Sequence, residues 1–114
     1  MSEGKVDARS AVQQLVRQIK EYLLKQYGEK IKQVILYGSH VRGEATEDSD
    51  IDVLVVVAES LDPSEVRNRL SALLYDILLE KGELISVIVI PETLFNSYNS
   101  PFLLNVREEG VVVT

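Results

Sequence analysis

The sequence has 114 residues, no cysteine, and 46% hydrophobic against 26% charged residues. This length fits one domain with a modest core, and the apolar fraction excludes a disordered chain. The lack of cysteine excludes disulfides, thiolate nucleophiles and zinc–thiolate sites. No apolar run approaches the roughly 18 residues of a membrane span, and the N-terminus lacks the apolar segment of a signal peptide. We therefore expect one cytoplasmic domain over residues 1–114, without a membrane partner.

The charge is distributed unevenly along the chain. The formal net charge of −6 disfavours direct binding to nucleic acid through its phosphates. Residues 1–43 carry eight basic and four acidic side chains, whereas residues 44–114 carry four basic and fourteen acidic ones. Five carboxylates lie within nine residues, namely Glu44, Glu47, Asp48, Asp50 and Asp52. The acidic part of the chain is expected to need cations.

Hydrophobic periodicity predicts the elements of the first half. Apolar residues recur at helical spacing from Ala8 to Leu23, with Lys and Arg on the opposite face, and Gly28 ends the helix. Two runs rich in β-branched residues follow, and each predicts a strand. The predicted elements are a helix to about Tyr27, a strand over Ile31 to Tyr37, a helical turn over His40 to Arg42 closed by Gly43, and a strand over Ile51 to Val57.

The second half begins with a helix signal. Asp62 is a candidate N-cap, Pro63 suits the first helical position, and Gly82 ends the helix. Its predicted buried stripe is Val66, Leu70, Leu73, Leu74, Ile77 and Leu78. The remaining predicted elements are a strand over Leu84 to Ile90, short helices over Glu92 to Phe95 and Phe102 to Glu109 around the loop Asn96 to Pro101, and an edge strand over Val111 to Val113.

These elements predict a single α+β domain with helices packed mainly on one face of the sheet. The second and third strands are apolar on both faces, as expected of a fully covered sheet. The two long helices are enough to cover one face. We therefore expect the other face to meet a partner protein or a second copy of the chain.

Two aspartates mark the start of the second strand. Asp50 and Asp52 are two residues apart, so their carboxylates project from the same face. At about 5 Å and an effective dielectric near 20, two such charges repel by roughly 3 kcal/mol. A divalent cation would reverse this cost, and oxygen ligands suit Mg²⁺ or Mn²⁺ together with substrate phosphates.

The end of the first strand offers a place for those phosphates. Gly38 lets the backbone approach a ligand, and Ser39 brings a hydroxyl to the start of a helical turn. A solvated acidic loop is the alternative interpretation, and the Gly-Ser turn disfavours it. A calcium-binding EF-hand fails because Val53 stands where the loop requires glycine, and a P-loop fails because Glu44 replaces its lysine.

The segments YGSHVRG at 37–43 and SDID at 49–52 together resemble the signature of the DNA polymerase β-like nucleotidyltransferases. The chain is most similar to the minimal nucleotidyltransferase (MNT) proteins, which are encoded beside HEPN-domain toxins. The resemblance implies the polymerase β-like nucleotidyltransferase fold with a mixed sheet. It also implies that Gly38 and Ser39 hold the triphosphate and that Asp50 and Asp52 carry the metals and the catalysis. Arg42 stands where members of the family also carry arginine, which predicts a nucleotide-binding role through phosphate, with an ion pair to a loop acid as the alternative.

The sequence departs from the family at a third carboxylate, where our alignment places Ser86. Glu83 lies three residues earlier and is expected on the opposite face. The resemblance implies a metal-dependent transferase that moves AMP from ATP to a hydroxyl, acting as the antitoxin of a HEPN toxin. The alternatives are a weak or inactive antitoxin that works by occlusion, and a nucleotide sensor or substrate-binding subunit. His40 is left without a role, because a lone histidine in a turn is more often a surface residue.

Overall fold

The computed structural model describes residues 8–46 and 48–113, without the side chains of residues 8–10. The expectations about the N-terminal segment, the side chain of Ala8 and Glu47 therefore lie outside the described residues. The elements in chain order are α1 (Ala8–Tyr27), a 3₁₀ turn (Gly28–Lys30), β1 (Ile31–Tyr37), α2 (Ser39–Arg42), β2 (Ile51–Val57), α3 (Pro63–Lys81), β3 (Ile85–Pro91), α4 (Glu92–Ser97), α5 (Pro101–Glu109) and β4 (Val111–Val112).

The first half agrees with the predicted boundaries except that α2 begins at Ser39, one residue earlier than predicted, and the other differences lie in the second half. β3 is displaced by one residue toward Pro91, and α4 extends to Ser97. α5 begins at Pro101, which the prediction left in the loop, because the Ser100 hydroxyl caps the helix by accepting from the Leu103 N–H at 3.1 Å. Proline fits the first helical turn, where its missing N–H has no partner to lose.

The four strands form one mixed sheet in the order β3-β2-β1-β4. β1 is antiparallel to both β2 and β4, and β2 is parallel to β3 across the α3 crossover. The register opposes Asp52 to Tyr37 on one side and to Ser86 on the other. The start of β2 therefore lies between the end of β1 and the start of β3, which positions the candidate site.

The long helices α1 and α3 cover one face of the sheet. Their buried side chains, including Val16, Ile19 and Leu70, pack on Val53 and Val55 of β2. The Asp62 side chain caps α3 by accepting from the Ser64 N–H at 3.0 Å, as predicted. The prediction that Leu78 is buried was wrong, because its side chain is 37% exposed. The buried stripe of α3 ends at Ile77, and Leu78 lies about 100° further around the helix, outside the stripe. Within the described residues, no helix is both long and apolar enough to cross a membrane.

The opposite face is covered in part by the two short helices. Phe95, Leu103 and Val106 of α4 and α5 pack on buried side chains of β1 and β2, which include Ile35 and Leu54. The chain itself therefore covers the two central strands of this face, and the contact of the face with a partner or a second copy stays a prediction. On the edge strand β3, Ile88 of the same face remains 38% exposed.

Candidate active site

The turn after β1 is held in a conformation that only glycine adopts easily. Gly38 has φ +85°, and its carbonyl accepts from the backbone N–H groups of Val41 and Arg42 at 3.0 and 3.1 Å. These bonds close α2, and Gly43 ends it in the left-handed conformation at φ +78°. Ser39 is thus the first residue of α2, where backbone N–H groups lack intrahelical partners.

Gly38 lies directly against Asp52. A Cβ atom built on Gly38 would approach the Asp52 Oδ2 atom to less than 3.0 Å. The β1–β2 register, which pairs Tyr37 with Asp52, produces this proximity. The structure therefore brings the Gly-Ser turn and the Asp52 carboxylate together, as the motif spacing predicted, and the absent side chain leaves room for both.

Asp52 is half-buried and Asp50, just before β2, is exposed. Burial raises the pKa of the Asp52 carboxyl above its ordinary value of 3.8, and the nearby Asp50 charge raises it further, while His40 and Arg42 act in the opposite direction. Burial and the Asp52 charge also raise the pKa of Tyr37 to about 12. The negative charge of the two aspartates is therefore only partly compensated by protein groups.

Arg42 is half-exposed and contacts two carboxylates. Its Nε atom donates to Glu44 at 2.9 Å, and one terminal nitrogen lies 3.7 Å from a carboxylate oxygen of Glu109. Both alternatives for this arginine remain compatible with its place, because it pairs with a loop acid and also lines a depression shared with Asp52. His40 lies on the other side of the turn, where its Nε2 atom is 3.4 Å from the Ser49 carbonyl.

The loop before Asp50 is ordered by short polar contacts. The Ser49 hydroxyl accepts from the Thr46 N–H at 2.9 Å, and the Thr46 carbonyl accepts from the Ser49 N–H at 3.1 Å. The Asp48 N–H donates to the Thr46 hydroxyl at 3.3 Å. Asp48 is exposed, so the acidic run divides into an exposed loop and the Asp50–Asp52 pair at the sheet.

Ser86 occupies the position expected of a third carboxylate, directly opposite Asp52 in the β2–β3 register. Glu83 lines a depression beside Ala11 and Gln14 of α1, on the other face of the sheet. Among the described residues, no group of three or more His, Cys, Asp or Glu side chains is arranged to hold a metal ion. The residues present still fit a divalent cation completed by substrate phosphates, since Asp50 and Asp52 supply oxygen donors whose mutual repulsion a cation would relieve.

Sequence reasoning missed the wall of this site that α5 forms. Phe102, Asn105 and Glu109 of α5 line a depression of about 260 Å³ together with Tyr37 and Asp52, among others. Their spacing of three and four residues places them on one helix face. That spacing was visible in the sequence, but nothing in it indicated that this face meets the ends of β1 and β2.

Comparison with known proteins places the chain in a family. Residues 16–111 match the model of the nucleotidyltransferase domain. A protein of Methanocaldococcus jannaschii named "Putative protein adenylyltransferase MJ0604" is 41% identical over 99 residues, which cover 83% of this chain and 93% of that protein. A second protein of that organism, named "Putative protein adenylyltransferase MJ0126", is 32% identical over 106 residues, covering 90% of this chain and 94% of the relative.

Solved structures share the fold at lower identity. A toxin–antitoxin complex with AMP-PNP contains a chain with a TM-score of 0.54 and 22% identity, over 85% of this chain and 71% of that one. The complex of the tri-AMPylated Shewanella oneidensis HEPN toxin with its MNT antitoxin gives a TM-score of 0.52 and 20% identity, over 90% of this chain and 71% of that one. The predicted α+β nucleotidyltransferase fold is thereby confirmed. The family model matches most of the sequence, and solved structures share the fold. The chain is therefore a nucleotidyltransferase and belongs to the nucleotidyltransferase domain family.

Proposed function

We propose that this nucleotidyltransferase transfers AMP from ATP to a hydroxyl group on a partner protein. The observation that carries the proposal is the contact between Gly38 and Asp52. This contact places the Gly38-Ser39 turn, which we propose binds phosphate, beside the pair of carboxylates. The names of the M. jannaschii relatives, each a protein adenylyltransferase, support AMP as the transferred group and a protein as the acceptor.

The residues have separate roles in this proposal. Gly38 and Ser39 bind the outer phosphates through backbone N–H groups and the hydroxyl, and Arg42 leaves Glu44 to pair with phosphate oxygens. Asp50 and Asp52 would hold Mg²⁺ or Mn²⁺, which when bound neutralises phosphate charge and orients the α-phosphate. We assign both aspartates as catalytic residues on this basis.

The transfer forms one bond and breaks another. The acceptor oxygen bonds to the α-phosphorus, the bond from that phosphorus to the bridging oxygen of the β-phosphate breaks, and pyrophosphate leaves with the bonding electrons. The acceptor hydroxyl releases its proton to water, because Ser86 stands where a carboxylate would accept it. A missing general base costs roughly 10²- to 10⁴-fold in rate, so we expect slow turnover.

We propose a HEPN-domain toxin as the acceptor protein. Support comes from the fold neighbour in which an MNT antitoxin is bound to a tri-AMPylated HEPN toxin. A hydroxyl of such a partner would have to enter the open side of the site, where Asp50 and Arg42 are exposed. The protein would then act as an antitoxin by covalent modification.

Ser86 favours a second candidate function, in which the chain neutralises its toxin by occlusion alone. The partner and the nucleotide would still bind, but no AMP would be transferred. The two candidates differ in one measurable quantity, which is the mass of the partner protein after incubation with ATP and Mg²⁺.

Binding is tested by calorimetry with ATP in the presence and absence of Mg²⁺. We expect Mg²⁺-dependent binding that the Asp50→Asn, Asp52→Asn double variant loses. Asp48→Asn is the matched control, because it removes one carboxylate from the exposed loop outside the site. Unchanged affinity of the double variant for Mg²⁺ and ATP would show that the site is assigned wrongly.

Transfer is tested by mass spectrometry on a HEPN-domain protein that co-purifies with this chain, after incubation with ATP and Mg²⁺. A gain of one or more AMP units that requires Asp50 and Asp52 supports the transferase. Neutralisation of the toxin without any gain in mass supports occlusion. A chain that neither modifies nor neutralises that toxin would contradict both candidates.

A further inference from the structure

The side of α5 that lines the site carries aromatic and polar side chains that are not needed to pack this helix on the sheet. Leu103 and Val106 already attach α5 to the sheet and are 4% and 2% exposed. Phe102, in contrast, is 41% exposed and Asn105 is exposed, yet both line the depression that contains Asp52. These two side chains are therefore available to a ligand.

Phe102 is held in place by a second aromatic ring. Its centroid lies 5.4 Å from that of Tyr37, with the ring planes at 82°, which is the favoured edge-to-face geometry. Tyr37 is in turn fixed in β1, opposite Asp52. The exposed aromatic surface thus has a defined orientation beside the carboxylates, which is what stacking of a planar group needs.

The size and chemistry of the depression indicate one kind of group. The depression, of about 260 Å³, is open to solvent, and its lining by Tyr37, Phe102 and Asn105 offers aromatic rings and an amide to a planar polar ring. The Asn105 amide can donate and accept at once, and this pattern matches the N6 and N7 edge of adenine. Glu109, on the same helix face as Asn105, lies 3.7 Å from Arg42, so its carboxylate is paired.

We propose that Phe102 and Asn105 form a nucleobase subsite, in which Phe102 stacks on adenine and Asn105 hydrogen-bonds its edge. The inference rests on the proposed function, because the phosphates at Gly38 and Ser39 bring the base within reach of α5. In this arrangement α5 determines which nucleoside triphosphate the enzyme selects, while the strands and α2 bind the part that all triphosphates share.

The first test compares ATP with inorganic tripolyphosphate, each with Mg²⁺, by calorimetry. Removing the ring in Phe102→Ala should weaken ATP binding by about five- to 150-fold, the range measured for base stacking. Tripolyphosphate affinity should stay within about twofold, since it has no base. Leu104→Ala is the matched control, because Leu104 is 44% exposed on the same helix and does not line the depression.

The second test addresses the choice of base. The wild type should bind ATP more tightly than GTP and UTP, and Asn105→Ala should reduce this preference by about fivefold or more. Asn105 is exposed, so this variant keeps the test valid if Phe102→Ala does not fold. Asn96→Ala, an exposed asparagine on α4, is the control.

Three results would overturn the subsite while leaving the proposed function intact. These are equal losses for ATP and tripolyphosphate in Phe102→Ala, no loss for either, and a change confined to the KM of the acceptor protein, which would assign the depression to the acceptor. A wild-type chain that binds neither ATP nor tripolyphosphate would reject the proposed function, and the subsite with it.

Discussion

Gly38 is the residue on which the geometry of the site depends most directly. Its positive φ is costly for any other residue, and the space where a Cβ would lie is taken by the Asp52 carboxylate. A glycine at this position therefore serves both the turn and the approach of the turn to β2.

Gly38→Ala is expected to destabilise the fold by about 1–3 kcal/mol and to abolish binding of ATP with Mg²⁺, because Asp52 must move. Gly43→Ala is the matched control, since its φ of +78° imposes similar backbone strain but nothing lies within 4 Å of the added Cβ. Urea unfolding and calorimetry on both variants measure the two effects. Retained ATP affinity in Gly38→Ala would contradict the proposed role of this contact.

Ser86 provides a test of the slow turnover that we propose. Ser86→Asp places a carboxylate opposite Asp52 in the β2–β3 register, where it can accept the acceptor proton. We expect AMP transfer to rise by roughly 10²- to 10⁴-fold while ATP affinity changes by less than about tenfold. Ser86→Asn, similar in shape but uncharged, should stay at the wild-type rate. No acceleration in a folded Ser86→Asp protein would mean that another group already accepts the proton.

Asp52 makes stability depend on pH. Its folded pKa lies above the ordinary value of 3.8, so in this range the folded state binds the proton more tightly than the unfolded chain. Asp52 therefore lowers the free energy of unfolding as pH rises from about 3.8 through its folded pKa. As pH rises from 4 to 7, we expect Asp52→Asn to become more stable relative to the wild type, by less than about 1 kcal/mol because solvent partly screens the Asp52 carboxylate.

Urea unfolding at pH 4 and pH 7 measures this difference. Asp48→Asn removes the same charge from the exposed loop and is the matched control. If the free energies of unfolding of Asp52→Asn and the wild type differ by the same amount at both pH values, the pKa of Asp52 is not raised in the folded state.

At the scale of elements, the short helices α4 and α5 depend on one arginine. Arg107 of α5 donates to the carbonyls of Phe95 and Tyr98, and to the Asn99 side chain at 2.7 Å. It thereby joins the end of α4 to the loop and to α5 with a single charged group. This link positions the α5 wall of the active site.

Arg107→Gln should therefore destabilise the protein by about 2–3 kcal/mol, because carbonyls that accepted from a charged donor lose it. Amide hydrogen exchange should rise first in α4 and α5, while α1 and α3 remain protected. Arg69→Gln on α3 is the control, since its contacts with Glu65 are exposed and worth little. Uniform exchange across both helix pairs in Arg107→Gln would show that α4 and α5 do not respond separately.

At the scale of the whole molecule, two apolar clusters share one sheet. β1 and β2 contribute to both, with Val34 and Val53 on the α1–α3 side and Ile35 and Leu54 on the α4–α5 side. Because the same two strands contribute to both clusters, loss of one cluster also disrupts the other. We therefore expect unfolding in one cooperative transition. Urea transitions followed by circular dichroism and by exchange at Leu54 should have the same midpoint, and separate midpoints would indicate two independent units.

The oligomeric state remains a prediction that belongs to this scale. The motivation for a homodimer or a stable partner was an open second sheet face. α4 and α5 reduce the exposed part of that face to its two edges, around Ile88 of β3 and Val112 of β4. Light scattering at micromolar concentration distinguishes monomer from dimer.

The extent of a single domain over residues 1–114 also stays a prediction, although the family match covers residues 16–111.

The sequence by itself determined the elements and the candidate site, because both depend on local signals. Helical and alternating periodicity located α1, α3 and the central strands. The Gly38-Ser39 turn, separated from Asp50 by ten residues, indicated the chemistry. The alignment with the family also placed Ser86 at the position beside Asp52, where the β2–β3 register has it.

Only the tertiary structure decided how distant segments meet. The place of α5 against Tyr37 and Asp52, the cover of the second face and the exposure of Leu78 all depend on packing between elements far apart in the chain. Periodicity specifies which face of a helix is apolar, but not which part of the sheet that face covers. The candidate site therefore followed from a motif, whereas its α5 wall required the fold.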